Sequence, residues 1–469
     1  VKIDFLGGAY RGRSPNASPQ ECINFFYEKG EDEDTLVSTP GATVFDSSYS
    51  GEVRGGIGFN SRAFFVIGNK LVSYDAQGTS IDHGNLNSSS GRVGMAHNGT
   101  RPGANQQIMI VDGTEEYIFD NLTNTVTSVG TKGSESVIFM DGYFFYSEKG
   151  TDRIWNTNLY NGVVTDATDF ITAEGDPDPI LGLATDQRQL IAGGGITTSM
   201  FYNAGTIDNV LSRFQGGYTQ TGLAAPHALA RFDNTVMWLT KNERGEGMVV
   251  RPGEGINPSI VSTPAVNYQI SQYSRIDDAF AYVYQDEGHE FFVLTFPTAG
   301  VTWAYDASTQ EWHKRQHPIN GKLDRERYNC HVFAFGKHLL GDFENGKIYE
   351  FDSSIGTFDG VRVPRIRISP EVSSKERRER ISTVQLDIEE GLGDPNEEDS
   401  LFWLSYSKNG GHTFSNERRQ SGGNLGQYAK RLLWRRLGHA RNWIFKIRTW
   451  SPNRIIIKGL IAREYGEQL

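Results

Sequence analysis

The chain has 469 residues, 37% of them hydrophobic and 12% aromatic, with 53 glycines and a formal net charge of −11. That length suffices for two or three domains, and the glycine and aromatic content suits many short strands joined by tight turns, not helical bundles. No run approaches about 18 consecutive apolar residues, which excludes a helical membrane span, and two widely separated cysteines, Cys22 and Cys330, exclude a disulfide scaffold and read as buried free thiols.

The opening, VKIDFLGGAYRGRSP, lacks an apolar stretch followed by a small-residue cleavage site and reads as no secretory signal. Residues 1–50 form an N-terminal arm. Within it, 14–28 (SPNASPQECINFFYE) passes from Pro, Ser and Asn into aromatics and predicts one strand over 22–27. Such a strand is placed to close a ring by joining a last blade. Ser38-Thr39-Pro40-Gly41 ends the arm as a turn, and the acid-rich 28–34 reads as a solvated loop.

From about residue 51 to 357 one pattern recurs: an apolar run, a polar Gly/Asn/Asp turn, then a run rich in aromatics. It appears at 63–75 (AFFVIGNKLVSYD), 106–120, 137–155, 189–203, 234–251, 290–306 and 337–352. These are hairpins, because the turn residues supply positive φ and the runs suit a half-buried pleated surface. The units end at Asp75, Asp120, Leu159, Asn203, Arg251, Asp306 and Asp352, 39 to 55 residues apart. That spacing, with four strands' worth of chain per unit, predicts an all-β ring, a β-propeller of seven blades, with six as the alternative. Residues 159–179 and 206–222 show little strand patterning and read as long loops, the second with room for a short helix at 211–222.

Residues 358–469 change character. Val384-Leu386-Ile388, Phe402-Leu404-Tyr406 and Trp443-Phe445-Ile447 alternate with polar neighbours, and 455–461 is a last apolar strand. This predicts a small antiparallel β-sandwich. The acidic 391–400 reads as an exposed loop, and 375–380 (KERRER) as a charged loop or short helix. Charge divides with the domains. From Val361 onward there are 20 Lys/Arg against 13 Asp/Glu, and before it 26 against 44. The acidic part repels nucleic acid or attracts a basic partner, and the basic part suits an acidic or protein partner.

Little in the chain points to chemistry. The His313/His317 and His331/His338 pairs lack carboxylates at ligand spacing, and HExxH, CxxC, Walker and GxSxG patterns are absent, so no metal, cofactor or catalytic residue is assigned. Gly193-Gly194-Gly195 reads as a turn. Residues 175–179 (GDPDP) read as a rigid exposed loop. Residues 407–414 (SKNGGHTF) resemble the Asp-box turn of sialidase-like propellers, with Asn409 where Asp is usual. Ser407, Asn409, Gly410, Gly411, Thr413 and Phe414 are therefore a structural turn whose side chain ties down its own backbone. The basic run after it nominates Arg431, Arg435, Arg436 and Arg441 with Trp434 as a protein interface. Basic residues beside Trp434 and Trp443 also suit phosphates and bases.

Residues 90–97 (SGRVGMAH), 431–446 (RLLWRRLGHARNWIFK) and Asn24-Phe25-Phe26-Tyr27-Glu28 resemble stretches of the packaged-DNA stabilisation proteins of short-tailed phages, the gene-ten type tail accessory factors or tail hubs. The order of arm, repeats and basic β-domain agrees over the full length. The resemblance implies a non-enzymatic virion protein, assembled in the host cytoplasm, whose copies form a ring, a hexamer, below the portal and its adaptor. That nozzle would continue the DNA channel without sequence-specific binding, hold the genome in, and carry tailspikes or tail fibres and a needle or plug. The alternative is a propeller that binds or cleaves host-surface glycans.

Overall fold

The structure, a computed structural model, describes the chain apart from residues 1, 15–16, 100–104, 164, 174–177, 206–209, 243, 254–256, 374–376, 390–399, 424–430 and 465–469. The acidic loop at 391–399, Lys430, most of 175–179 and the start of 375–380 therefore lie outside the described residues. From Glu379 on, that last stretch is strand.

Seven four-stranded antiparallel blades form the first body. Six are continuous in sequence: blade 1 (53–85), blade 2 (94–130), blade 3 (137–172), blade 4 (180–219), blade 5 (229–260) and blade 6 (280–319). Blade 7 takes three strands, Tyr328–Ala334, Lys337–Asp342 and Ile348–Asp352, and its fourth is Gly41–Asp46 from the arm. Each innermost strand contacts the next, and that of blade 7 returns to that of blade 1, which closes the ring. The recurring runs are the two middle strands of the blades, except 137–155, which holds the first three strands of blade 3; in blade 1 they are buried on both faces, with Phe64, Phe65, Val66, Leu71 and Val72 all at most 1% exposed. The first hairpin of six blades is a two-residue turn with both residues at positive φ: Asn60-Ser61, Asp141-Gly142, Gln187-Arg188, Asp233-Asn234, Glu287-Gly288 and Phe335-Gly336. Such turns carry the right-handed twist that blades share.

Two expectations are corrected: the strand that closes the ring is Gly41–Asp46, not 22–27, and 206–222 is not a loop with room for a helix, since Leu211–Thr219 is the outer strand of blade 4. The described helix is instead Pro264–Ile270, between blades 5 and 6, capped by the Thr263 hydroxyl, with proline in its first turn.

The second body is a sandwich built only partly from the C-terminal residues. One sheet runs Phe25–Glu28, Thr35–Ser38, Ile456–Glu464, Glu379–Ile388, Leu432–Ala440, with Lys2–Ile3 paired beside Ile456–Glu464. The other runs Pro19–Ile23, Arg365–Ile368, Asn442–Thr449, Leu401–Ser407, Arg418–Ser421. It joins the outer strand of blade 6 through one parallel pairing, Ile23 with Lys314. The expected single strand at 22–27 is thus two strands in different sheets, broken at Asn24, whose φ is 57°. Asn24 donates from Nδ2 to the carbonyls of Gln316 and Pro364, both at 2.7 Å, and accepts from the Gln316 N–H at 2.8 Å. One side chain therefore fastens arm, blade 6 and sandwich together.

Arg367 does the same from the sandwich side. It is fully buried and donates to the carbonyls of Phe5 (2.7 Å), Gly8 (2.7 Å) and Glu21 (3.3 Å). The main apolar core runs without a break from Trp303 and Trp312 of blade 6, through Phe5, Cys22, Phe25 and Leu36 of the arm, to Trp434, Trp443 and Phe445 of the sandwich. Burying side chains of this size contributes about 1.5–3 kcal/mol each, so the two bodies share stabilisation through the arm.

Candidate functional site

The basic run separates by burial. Arg431, Arg435, Arg436 and Arg441 are exposed, on or beside the edge strand Leu432–Ala440. Among the described residues that strand pairs within its sheet with Glu379–Ile388 alone, and side chains cover part of its other edge: Gln420 donates to the Leu433 carbonyl at 2.9 Å and Lys408 to the Leu437 carbonyl at 2.8 Å. A bulge interrupts the pairing: Thr383 faces Arg435 while Ile381 faces Gly438, and Arg436 takes φ 62°. Charge and a bulge on an edge strand oppose edge-to-edge pairing with other chains. Trp434 is corrected: it is 1% exposed, lies in the core, and donates from its indole N–H to the Arg418 carbonyl at 2.7 Å. It cannot meet a partner, because the alternation that buries Leu432 buries it too, and the bulge then returns Leu437 to the same core.

The turn at 407–414 joins Leu401–Ser407 to the segment leading into Arg418–Ser421. Asn409 accepts through Oδ1 from the Thr413 N–H (3.0 Å) and donates through Nδ2 to the Thr413 hydroxyl (2.9 Å). The Ser407 hydroxyl donates to Asn409 Oδ1 (2.8 Å) and accepts from the Gly411 N–H (2.9 Å). Gly410 and Gly411 supply φ of 69° and 87°. Phe414 is 37% exposed beside Lys446. The Ser407 and Asn409 side chains are thus used on the turn's own backbone and on Thr413.

The groups that resemble catalytic machinery are also spent locally. On blade 6, His289 Nδ1 lies 2.7 Å from Asp306 and 2.8 Å from the Ser308 hydroxyl. A charge-relay triad needs serine and carboxylate on opposite ring nitrogens; here both approach one. The hydrogen bond to Asp306 holds His289 above its ordinary pKa. His331 Nε2 and His338 Nδ1 are 2.9 Å apart on blade 7, and burial keeps both below the ordinary histidine range. Cys22 and Cys330 are free and buried, their thiols pushed up to about 12 and about 11 by desolvation, which disfavours the nucleophilic thiolate. Among the described residues no group of three or more His, Cys, Asp or Glu could hold a metal ion, and no helix is long and apolar enough to cross a membrane. Asp178, from the 175–179 stretch, is buried, not exposed: it accepts from the N–H groups of Gly195 (2.9 Å), Ile196 (2.8 Å) and Thr197 (2.7 Å) and fixes the 193–195 glycine segment.

One arrangement escaped the sequence reading. Arg92, in the connection into blade 2, places its guanidinium 3.8 Å from the centre of the Phe280 ring at the start of blade 6. Blades 2 and 6 are not neighbours in the ring; blades 1 and 7 separate them. The contact therefore crosses the propeller axis, and one arginine side chain spans the tunnel at this end. Duplex DNA, whose major groove alone is about 12 Å wide, cannot pass there. The signal in the sequence was a lone arginine among small residues, 90–97, which gives no hint of what it reaches.

Comparison with known families yields two adjoining matches. A model described as bacteriophage P22 Gp10, beta-propeller, matches residues 16–356, and one described as bacteriophage P22 Gp10, beta-sandwich, matches residues 365–464. No curated protein matches the chain. Among solved structures, the designed Ika8 protein is 12% identical, covering 75% of this chain and 98% of its own at a TM-score of 0.39. The N-terminal domain of Nup159 is 9% identical, covering 70% and 98% at 0.39. The extracellular domain of the putative hybrid two component system BT4673 from B. thetaiotaomicron is 10% identical, covering 88% and 58% at 0.44.

Proposed function

The chain belongs to the bacteriophage P22 Gp10 family, structural proteins of the phage tail that stabilise packaged DNA, and from that premise we propose that it is a tail hub. In this reading copies assemble into a ring, a hexamer, beneath the portal and adaptor. The ring continues the DNA channel as a nozzle, retains the genome, and offers attachment to tailspikes or tail fibres and to a needle or plug. The protein acts without catalysis.

The observation that carries the reading is the closed propeller axis. A propeller blocked by Arg92 is not itself a conduit, so a DNA path made by this chain has to run between copies. Two further features agree. The part before Val361 carries 44 acids against 26 bases, and such a surface facing a lumen repels the phosphate backbone and lets DNA slide. The exposed Arg431, Arg435, Arg436 and Arg441 then serve a protein interface on the sandwich.

Negative-stain imaging of the purified chain, alone and mixed with portal–adaptor complexes, tests this. Rings seated on the complexes are the expected outcome. A chain that stays monomeric on them and binds or hydrolyses glycans saturably would sink it.

A further inference from the structure

The six-stranded sheet of the sandwich carries opposite charge at its two sides. Its strands run Phe25–Glu28, Thr35–Ser38, Ile456–Glu464, Glu379–Ile388, Leu432–Ala440. At about 4.8 Å per neighbour the two outermost lie roughly 19 Å apart.

The first side is acidic. Glu28 and the hairpin 29–34 that joins the first two strands bring five carboxylates and one lysine, and Glu31, Asp32 and Glu33 are exposed. An adjoining groove of about 500 Å³ is lined by Asp233, Asp286, Glu287 and Glu290 of blades 5 and 6. The two adjoin because Phe26 packs edge-on against His289 in the groove wall, ring centres 5.0 Å apart. Asp233 and Glu287 are paired with Arg251 and Arg454. Asp286 and Glu290 have no ion-pair partner among the described residues.

The opposite side is basic. Arg431, Arg435, Arg436 and Arg441 are exposed, and none has an ion-pair partner among the described residues. Arg378 and Arg380 are exposed at the start of the neighbouring strand, Arg380 across from His439, with Glu379 between them. The bulge at Arg436, and the Gln420 and Lys408 side chains on the strand's carbonyls, oppose addition of a further strand. A partner here is met through the arginine side chains.

We propose, on the strength of the ring reading above, that copies associate head to tail, the arginine side of one sandwich against the arm hairpin and acidic groove of the next. The two charged sides are held apart in one packed body, so each finds its complement on a second copy. Guanidinium forks match carboxylates bidentately, and opposed potentials fix the register of the contact. Different surfaces meet on the two copies, so the contact is heterologous, the kind that closes into rings.

The test is charge exchange in the purified full chain, with assembly followed by mass photometry, alone and on portal–adaptor complexes. Arg435→Glu with Arg441→Glu should raise the concentration needed for rings about tenfold or more, since like charges then face each other. Glu31→Arg with Glu33→Arg should do the same. Mixed in equal amounts, the two variants should recover wild-type assembly by alternating around a ring of even copy number, which loss of folding cannot mimic. Wild-type rings that persist undiminished in either folded variant overturn the contact and leave the ring reading standing. Loss in both without recovery in the mixture also overturns it. A wild-type chain that forms no ring in either setting removes the ring reading, and the contact with it. Should the Arg435→Glu, Arg441→Glu chain fail to fold by circular dichroism, Arg431→Glu with Arg378→Glu takes its place, under the same outcomes.

Discussion

The propeller and the sandwich are both antiparallel β-structures, yet they are assembled by opposite means. Each of blades 1 to 6 pairs strands that follow one another in sequence, and only blade 7 borrows a strand. In the sandwich, sequence neighbours are seldom sheet neighbours: Ile456–Glu464 lies between Thr35–Ser38 and Glu379–Ile388, and Lys2–Ile3 pairs beside it. Both bodies bury ionisable groups, Arg54, Arg315, Glu326, His313 and His317 in the propeller and Glu21, Arg365 and Arg367 on sandwich strands, but the buried histidines belong to the propeller. The difference teaches that the ring is locally encoded and closed once, whereas the sandwich depends on an arm from the far end of the chain.

The largest effect should come from the join. Arg367→Ala leaves three buried carbonyls without their donor and should cost about 3–5 kcal/mol. Denaturant unfolding reads the loss, and limited proteolysis should then cut the arm first. If the arm stays protected, the join is less important than the contacts suggest. Trp434→Ala should cost about 3–5 kcal/mol as a cavity in the sandwich core. Arg435→Ala on the same strand should stay within about 0.5 kcal/mol, and near-equal thermal shifts for the two would contradict the assignment of Trp434 to the core.

Acid should separate the regions next. Burial holds His313 and His331 well below the ordinary histidine value and His317 at about 3; the sandwich histidines His412 and His439 are exposed. A depressed folded-state pKa means that the unfolded chain binds more protons below the unfolded value. Stability from these residues is therefore complete above about pH 6.5 and is lost as pH falls toward 3, by about 1.4 kcal/mol per pH unit for each histidine. His289 runs the other way: raised by Asp306, its contribution is present below the unfolded value and fades as pH rises through the folded one. Hydrogen exchange followed from pH 7 to 4 should show amides of blades 6 and 7 losing protection before those of the sandwich. The smallest effect should be Asn409→Ala, about 1 kcal/mol from the lost turn bonds, seen as a small drop in unfolding midpoint.

The same contrast explains what could be read from the sequence. The middle hairpins of the blades were legible because apolar runs flank Gly, Asn or Asp turns. The first hairpins were less so, since Gln187-Arg188 takes the same left-handed pair of conformations without the residues that usually announce it. Asn24 looked like part of one strand because nothing local marks its partners, Gln316 and Pro364. Trp434 looked like surface because the bulge at Arg436 breaks the alternation and sets charged residues beside it. The turn at 407–414 was legible because the bonds of Ser407 and Asn409 are local. Arg92 was not, because its partner Phe280 stands across the axis.

The most direct test of the account is a cryo-electron microscopy map of the chain assembled on its portal–adaptor complex with DNA present. The expected map shows a ring whose lumen lies between copies, propeller surface toward the DNA, and Arg431, Arg435, Arg436 and Arg441 against protein. DNA density threading a propeller, or those arginines lining the lumen, would contradict it.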